Sequence, residues 1–313
     1  MPSLLRKIAD SILKRIRRSS FYYQRYNNTL DFTTNRTYTR YAKECRAAYV
    51  AKHGIMDLPA SPLCKNGAML VKNALPAAKA IACTEKITGL IEKKDPRVEQ
   101  SKKDSLSLHI SDPIMTLGTD ILDVLRNPEV HKSLLAYFRS HYRIYWVTSY
   151  RSLPTTAAVS GSWLWHSDSF PPHTCKMFLH LTKATGDTGA TDFMNLEDTM
   201  MYRRAGYFGQ FRNERHAELQ DFAKDHNLPY RPFHLDAAPG DVSILDVNFF
   251  HRAVTPRAAF RDIVSFFFVP NPIHWEEQLK LDGVENISKR PAILPKDPHP
   301  NAVIATKGEA RMM

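Results

Sequence analysis

The chain has 313 residues, a formal net charge of +11 at pH 7 and a sequence pI of about 9.4. Its hydrophobic content of 43% is typical of a globular protein. No apolar run reaches roughly 18 residues, so we expect no membrane-spanning helix. The 4 cysteines lack CxxC spacing, which argues against a disulfide framework and against a thiolate metal site. The basic balance favours acidic partners, but without a recognisable nucleic-acid module we expect no nucleic-acid partner.

The first segment has the pattern of a basic amphipathic helix. Over residues 3–18, apolar residues recur at helical spacing, and lysines and arginines crowd the remaining positions. Such a helix can lie on an anionic membrane surface, or it can pack its apolar stripe on the rest of the protein. The start of the chain lacks a secretory h-region, so we expect a cytoplasmic protein, with peripheral attachment to a membrane surface as the alternative that the helix leaves open. Residues 19–45 show little periodicity and predict an irregular connector.

The remainder of the chain mixes strand and helix patterns. Runs of β-branched and aromatic residues predict strands over residues 68–72, 142–147, 157–165, 175–181, 242–247 and 260–269. Helical spacing predicts one helix from Pro76 to Ile91 and one or two helices between Thr119 and His141, broken near Asn127-Pro128. Residues 93–105 are charged and polar, and they predict an exposed loop.

Trp165-His166-Ser167-Asp168 carries the pattern of a metal site. Because side chains alternate along an extended segment, His166 and Asp168 share one face and can take neighbouring positions around a metal. His251 lies 251 − 166 = 85 residues downstream. That length holds roughly four or five strands, so the two ends can meet across a barrel. Two imidazoles and one carboxylate on one side of an octahedron are typical of Fe(II) oxygenases, and they leave positions for a 2-oxo acid and O2.

Three other His-x-acid pairs begin at His216, His234 and His274, so this pattern alone is weak. His234 precedes His251 by only 251 − 234 = 17 residues, and we interpret it as a loop or strand histidine. Trp165 has two interpretations: core packing, which large aromatic side chains favour, and stacking on a substrate. Residues 197–232 interrupt the strand pattern, and we interpret them as an insert beside the barrel mouth.

The last predicted strand supplies a cation. Arg261, Ile263 and Ser265 share one face of it, because side chains alternate. A guanidinium that faces into a barrel needs a carboxylate partner, since an unpaired buried charge is costly. The distal carboxylate of a 2-oxo acid can bind it bidentately. The alternative is a salt bridge to Asp262 or Asp241.

Together these residues resemble the phytanoyl-CoA dioxygenase-like branch of the Fe(II)/2-oxoglutarate oxygenases, over about residues 64–272. The motifs that carry the resemblance are Gly67–Lys72, His166-Ser167-Asp168, Lys176–Leu181, Gly186–Gly189, Pro239-Gly240-Asp241, His251 and Arg261. The resemblance implies a mainly β fold with supporting helices and a double-stranded β-helix core of the jelly-roll, cupin-like type.

The resemblance also assigns roles to individual residues. His166, Asp168 and His251 are expected to bind Fe(II), and Arg261 is expected to pair with the C5 carboxylate of 2-oxoglutarate. Phe178 occupies the position where the family often has an aromatic beside the co-substrate. We include Ser265 among the co-substrate residues because it shares a face with Arg261.

The predicted organisation is an extension over residues 1–45, an oxygenase domain over 46–275 that contains the insert, and a Pro-rich tail over 276–313. We expect a hydroxylase that oxidises an acidic substrate, which is either small or linked to a lipid, CoA or phosphate, with release of succinate and CO2. Two alternatives remain open. One is a hydroxylase of a protein side chain, and the other is a barrel without enzymatic activity that binds a partner.

Overall fold

The structure is a computed structural model that describes residues 2–17, 32–100, 106–156, 159–168, 170–209 and 212–288. None of the helices in these ranges has the length and apolar character needed to cross a bilayer. The α-helices of these ranges are α1 (Pro2–Arg17), α2 (Phe32–His53), α3 (Leu63–Asn66), α4 (Ala77–Glu92), α5 (Pro113–Leu117), α6 (Pro128–Phe138), α7 (Leu196–Arg204), α8 (Gln220–Asp225), α9 (Trp275–Asp282) and α10 (Val284–Ser288).

The strands are β1 (Ala68–Val71), β2 (Val98–Gln100), β3 (Ser107–Ile110), β4 (His141–Ser152), β5 (Cys175–His180), β6 (Thr191–Phe193), β7 (Phe233–His234), β8 (Val242–Asp246), β9 (His251–Ala253) and β10 (Arg261–Asn271). Short 3₁₀ helices cover Thr119–Arg126, Gly161–Trp163 and Arg212–Glu214.

The strands form two antiparallel sheets. The large sheet has the order β1-β8-β5-β10-β4-β3-β2, and the small sheet has the order β7-β6-β9. An isolated antiparallel bridge between His166 and His251 adds a further segment beside β9. From β4 onward the chain passes from large sheet to small and back, through the bridge segment, β5, β6 with β7, β8, β9 and β10. This connectivity is that of a jelly roll, so the predicted fold class is confirmed.

Two apolar layers flank the large sheet. On its inner face, Phe178, Leu245 and Ile263 pack with Phe193 of the small sheet. On its outer face, side chains of β5, β8 and β10 pack with buried residues of α4, α5 and α6 and of the 3₁₀ helix at 119–126. The helices therefore support the large sheet from outside, and the space between the two sheets is left for a site.

Three of the sequence predictions were wrong in their secondary structure. Residues 32–45, predicted as part of an irregular connector, belong to α2, which buries Tyr38 and Cys45. The rest of that connector, 18–31, lies outside the described residues. Of the predicted strand over 157–165, the described residues 159–165 are instead a loop with a 3₁₀ helix at 161–163, and Gly161 has a positive φ. The predicted loop over 93–105 contains the edge strand β2.

The first residues of the predicted Pro-rich tail are helical. Residues 276–288 form most of α9 and all of α10, which pack on β4. Arg143 of β4 and Asp282 of α9 form a buried ion pair, with Nη2–Oδ distances of 3.0 Å, so the folded body extends at least to this helix. Residues 289–313, including the four tail prolines, lie outside the described residues.

Candidate metal centre

His166, Asp168 and His251 converge at one edge of the small sheet. His166 and His251 exchange both backbone hydrogen bonds of their bridge, at 3.0 and 2.9 Å, and the Asp168 N–H donates to the carbonyl of Val247 at 2.9 Å. One nitrogen from each imidazole and one carboxylate oxygen all lie within 4.8 Å of one another. Each Nε2 is 3.8 Å from an oxygen of Asp168. The three predicted ligands are therefore brought together with their donor atoms facing one point.

Backbone carbonyls set the tautomer of both imidazoles. Nδ1 of His166 lies 2.7 Å from the carbonyl oxygen of Leu164, and Nδ1 of His251 lies 2.9 Å from that of Phe249. A carbonyl only accepts, so each Nδ1 carries the hydrogen and each Nε2 keeps its lone pair. Both lone pairs are directed towards Asp168. This is the arrangement by which an outer hydrogen bond orients a metal-binding histidine.

The protonation states also suit a cation. Burial lowers the pKa of His166 well below its ordinary value, and nearby His251 and Arg215 act in the same direction. Burial lowers the pKa of His251 as well, although Asp168 partly opposes this. For Asp168, burial alone would raise the pKa, but Lys176 and the two imidazoles outweigh it and hold the pKa below its ordinary value. Two neutral imidazoles and one carboxylate are the donor set that a divalent transition metal takes.

Lys176 is a residue that the sequence analysis quoted only as part of a motif. It lies on β5, and its Nζ is 2.5 Å from Oδ2 of Asp168. The signal that could have found it is strand alternation, because Lys176, Phe178 and His180 share the inner face of β5. The candidate metal centre therefore includes an ammonium group bound to one of its own ligands.

Arg261 is buried at the start of β10, with 2% of its surface exposed. It donates one hydrogen bond to the carbonyl of Gly189, and its Nε has no partner. The two predicted alternatives are otherwise engaged, since Asp262 forms a bidentate pair with Arg151 and Asp241 accepts from backbone N–H groups. Across the described ranges, no carboxylate lies within ion-pairing distance of Arg261. Burial lowers the pKa of Arg261, and nearby Tyr150 only partly opposes this.

His180 lies near this guanidinium and was also not singled out from the sequence. Its Nε2 is 2.7 Å from Oγ of Ser243, whereas its buried Nδ1 has no partner. Burial, with Arg261 nearby, lowers the pKa of His180 to about 3, so the ring is neutral. Two unpaired polar groups, on Arg261 and His180, thus occur on neighbouring strands. A carboxylate of a 2-oxo acid fits this arrangement, because it can accept from both.

Phe178 and Ser265 lie opposite each other in the register of β5 and β10, on the inner face of the large sheet. Both are buried, and Phe178 packs with Phe193, the β6 residue that pairs with His251. The structure thus places both predicted co-substrate residues between the two sheets. Their role stays a prediction.

The predicted insert covers the metal ligands from outside. It includes α7 and α8 and packs its buried residues around Trp165 and Phe250, the neighbours of the two histidines. The hydroxyl of Tyr207 donates to the carbonyl of Trp165 at 2.7 Å. Gly209 has a positive φ of 58°, and a Cβ there would lie 2.9 Å from Cα of His166. Trp165 therefore has the core-packing role, and the cover rests directly on the ligand segment.

The other His-x-acid pairs contribute no side chain to the triad, although the carbonyl of His216 accepts a hydrogen bond from the Trp165 N–H at 2.8 Å. His234 is partly exposed on β7, near Asp192 and Asp236. His216 is exposed in the insert, and His274 caps α9. A groove of about 400 Å³ is lined by residues such as Lys72, Lys183 and Asp241. Lys183 follows the C-terminal end of β5, whereas Lys176 lies at its N-terminal end. The groove includes none of the triad.

Comparison with known proteins gives a structural likeness only. No protein-family model and no curated protein matches the chain. Solved structures that resemble it include the epimerase SnoN in complex with Fe3+, alpha ketoglutarate and nogalamycin RO, at 11% identity and a TM-score of 0.49, over 74% of this chain and 84% of that chain. The non-heme alpha ketoglutarate dependent carbocyclase SnoK from nogalamycin biosynthesis is 14% identical, with a TM-score of 0.46, over 72% and 83%. EctD from S. alaskensis with bound Fe is 14% identical, with a TM-score of 0.46, over 68% and 78%.

Identities and TM-scores this low do not extend the chemistry of those proteins to this chain. The jelly-roll assignment follows from the strand order, and the metal centre from the geometry of its own residues.

Proposed function

We propose that the protein is an Fe(II)- and 2-oxoglutarate-dependent oxygenase that hydroxylates a small acidic molecule. The observation that carries this proposal is the combination of two sites in one barrel. One is a triad of two neutral imidazoles and a carboxylate, and the other is a buried guanidinium without an acidic partner in the described chain. The first fits a metal with open positions and the second fits the far carboxylate of a 2-oxo acid.

The chain's own residues perform the binding and orientation. His166, Asp168 and His251 would hold Fe(II), and Arg261 would hold 2-oxoglutarate, with Phe178 and Ser265 beside it. When bound, the metal and co-substrate together supply the oxidative chemistry, in which O2 and 2-oxoglutarate are converted to succinate, CO2 and one hydroxyl group on the substrate. The insert excludes water from the ligand segments, because it packs over Trp165 and Phe250.

A small substrate is favoured over a protein side chain because the insert rests on the residues beside both histidines. The acidic character is supported by the basic balance of the chain, which has a formal net charge of +11 at pH 7. We extend the proposal to the phytanoyl-CoA dioxygenase-like branch, on the order and spacing of His166, Asp168, His251 and Arg261. The proposed substrate is either a small acid or an acidic molecule linked to a lipid, CoA or phosphate.

The direct test is succinate formation from 2-oxoglutarate under anaerobic and aerobic conditions with Fe(II), measured by NMR. We expect aerobic, Fe(II)-dependent turnover that His166→Ala abolishes and that His234→Ala leaves intact. The second variant is a matched control, since it removes a histidine from a His-x-Asp sequence outside the triad. Succinate formation that survives in His166→Ala, or its complete absence in wild type together with no binding of 2-oxoglutarate, would contradict the proposal.

A further inference from the structure

The ion pair between Lys176 and Asp168 joins the candidate metal centre to a cation of the chain. Nζ of Lys176 is 2.5 Å from Oδ2 of Asp168, and about a fifth of the lysine side chain is exposed, at 20%. The ammonium also lies 6.0 Å from the centre of the Phe170 ring. The lysine thus ends in a semi-enclosed environment where its charge needs a partner.

Asp168 cannot satisfy a dication and this ammonium equally well. Both would bind the same carboxylate group and would therefore lie a few ångströms apart, where like charges repel. When a metal takes Asp168, Lys176 needs another anion. The sum of the charges inside the barrel also indicates that a further anion is needed. With Asp168, Lys176, Arg261, a divalent metal and doubly ionised 2-oxoglutarate together, one positive charge remains in excess.

We propose that Lys176 changes partner within the site, pairing with Asp168 when the metal is absent and with a carboxylate or phosphate of a bound small molecule when the metal is present. This inference rests on the proposed function. It makes Lys176 the residue that couples metal binding to anion binding, because an anion that holds the ammonium frees Asp168 for the metal.

The test measures Mn(II) affinity from the signal of free Mn(II) in electron paramagnetic resonance, so that no turnover is needed. Wild type is compared with Lys176→Met, which keeps a side chain of similar length without the charge, and with Lys176→Arg, which keeps the charge. Lys183→Met, in the groove beyond β5, is the control for losing a lysine elsewhere. Each protein is titrated alone, with saturating 2-oxoglutarate, and with 2-oxoglutarate plus inorganic phosphate.

Without added anion, we expect Lys176→Met to bind Mn(II) on the order of tenfold more tightly than wild type, because a like charge has been removed. Lys176→Arg and Lys183→Met should stay within about twofold of wild type. In wild type an anion should tighten Mn(II) binding, and in Lys176→Met that gain should be reduced. A Lys176-dependent gain with 2-oxoglutarate identifies the co-substrate as the anion, whereas one that appears only on adding phosphate identifies the substrate subsite.

Unchanged or weaker Mn(II) binding by Lys176→Met overturns the inference, and so does a gain that is the same in both proteins in both arms. Either result in a wild-type protein that binds Mn(II) and 2-oxoglutarate leaves the proposed function standing. Wild-type protein that binds neither overturns the proposed function and this inference with it.

A second, independent observation concerns α1. Five of its apolar side chains are described and all are exposed, at 46–63%: Leu4, Ile8, Ile12, Leu13 and Ile16. Over residues 2–17 the sequence contains five lysines and arginines, namely Arg6, Lys7, Lys14, Arg15 and Arg17, and one acidic residue, Asp10. By helical spacing the apolar positions form one continuous face, and most of the basic positions fall on the opposite side.

We infer that α1 docks this face on an anionic lipid surface. The charge complementarity selects this occupant, because an apolar face bordered by basic residues gains from acyl chains and from acidic headgroups at once. Packing on the described part of the protein leaves Leu4, Ile8, Ile12 and Leu13 between 46% and 63% exposed, so most of this face can still meet a lipid surface. A second copy of the helix would bring like charges together.

The test is sedimentation of the full-length protein with vesicles of phosphatidylcholine alone and of phosphatidylcholine with roughly 30% phosphatidylglycerol. We expect binding only to the anionic vesicles, and we expect Ile12→Asp to weaken this affinity by about tenfold. Ile55→Asp is the matched control, since Ile55 is also exposed, at 89%, but lies outside α1. Equal binding to both vesicles, equal binding by Ile12→Asp and wild type, or a lipid-free dimer that Ile12→Asp dissociates would each overturn the inference.

Discussion

His166 and His251 form both hydrogen bonds of one antiparallel bridge, and their ring centroids lie 4.4 Å apart. The backbone bridge fixes the positions of both rings, and the carbonyls fix both tautomers. The geometry of the candidate metal centre is therefore already formed in the metal-free protein. We therefore predict that His251→Ala folds normally but loses Mn(II) affinity by roughly a hundredfold or more. Thermal unfolding and Mn(II) titration measure the two effects. His226 is exposed at the C-cap of α8, so His226→Ala should keep the Mn(II) affinity. An unchanged Mn(II) affinity in His251→Ala would disprove the assignment.

Substitution of Arg261 should have opposite effects on the stability of the protein and on its affinity for 2-oxoglutarate. As a buried cation without an acidic partner in the described chain, it destabilises the ligand-free protein, so Arg261→Met should raise the free energy of unfolding by about 1–3 kcal/mol. The same change should weaken 2-oxoglutarate binding by roughly a hundredfold, because the carboxylate loses its cation. Urea unfolding and calorimetric titration test the opposite signs.

Arg151→Met provides the contrast. Arg151 forms a bidentate pair with Asp262, at 2.7 Å for both contacts, so this variant should lose about 3–5 kcal/mol through the carboxylate left unpaired. If Arg261→Met were destabilised as strongly as Arg151→Met, Arg261 would have an acidic partner in the folded chain after all.

Stability should fall in mild acid because of buried neutral histidines. Burial, with His274 and His53 nearby, lowers the pKa of His141 to about 4. Below about pH 6.5 the unfolded chain takes up a proton on this residue that the folded protein excludes. The contribution is therefore fully present above about pH 6.5 and is lost as the pH falls towards 4.

The corresponding experiment is urea unfolding at about pH 7.5 and about pH 5. The loss of stability between these values should be smaller in His141→Gln than in wild type, by about 2 kcal/mol. His226→Gln controls for a change of composition on the surface. An identical loss in His141→Gln and wild type would show that His141 takes up its proton equally in the folded and unfolded states.

Gly209 and Gly206, both in the insert over residues 197–232, provide a matched pair of substitution sites. Both have positive φ, at 58° and 99°, but a Cβ at Gly209 would lie 2.9 Å from Cα of His166 and from the carbonyl oxygen of Trp165, whereas one at Gly206 meets nothing within 4 Å. In both alanine variants the free energy of unfolding should fall by about 1–2 kcal/mol, because alanine is strained at a positive φ. Only Gly209→Ala should also weaken Mn(II) binding, about tenfold, because it displaces the ligand segment. Equal affinities in the two variants would mean that the cover does not hold His166 in place.

The sequence could predict the residues of the candidate site because their signal is local. Alternation along an extended segment places His166 and Asp168 on one face of their segment, and Arg261 and Ser265 on one face of β10. Turn residues mark the ends of the strands that bring these segments together. The pairing of Lys176 with Asp168 was not predictable, because it depends on how β5 lies against the bridge segment. The unpaired Nδ1 of His180 likewise depends on tertiary packing.

The errors in secondary structure have a similar cause. Helix α2 buries polar aromatic and sulfur-containing side chains such as Tyr38, Tyr41 and Cys45, so it lacks the aliphatic periodicity that marks a helix in sequence. Around residues 157–165 the aromatic residues predicted a strand, but Trp163 and Trp165 are buried from a 3₁₀ turn and a loop. Tertiary burial decided the backbone in both cases.

The bridge between residues 166 and 251 also constrains how the protein is made. These residues are separated by 251 − 166 = 85 positions, and four strands, β5 to β8, lie between them. Closing such a long loop is slow, and it comes after the local hairpins and helices have formed. A nascent chain on the ribosome has no complete metal site until β9 has emerged. Metal loading is therefore a late event in biogenesis, and a scarcity of metal should yield folded apoprotein and not misfolded chains.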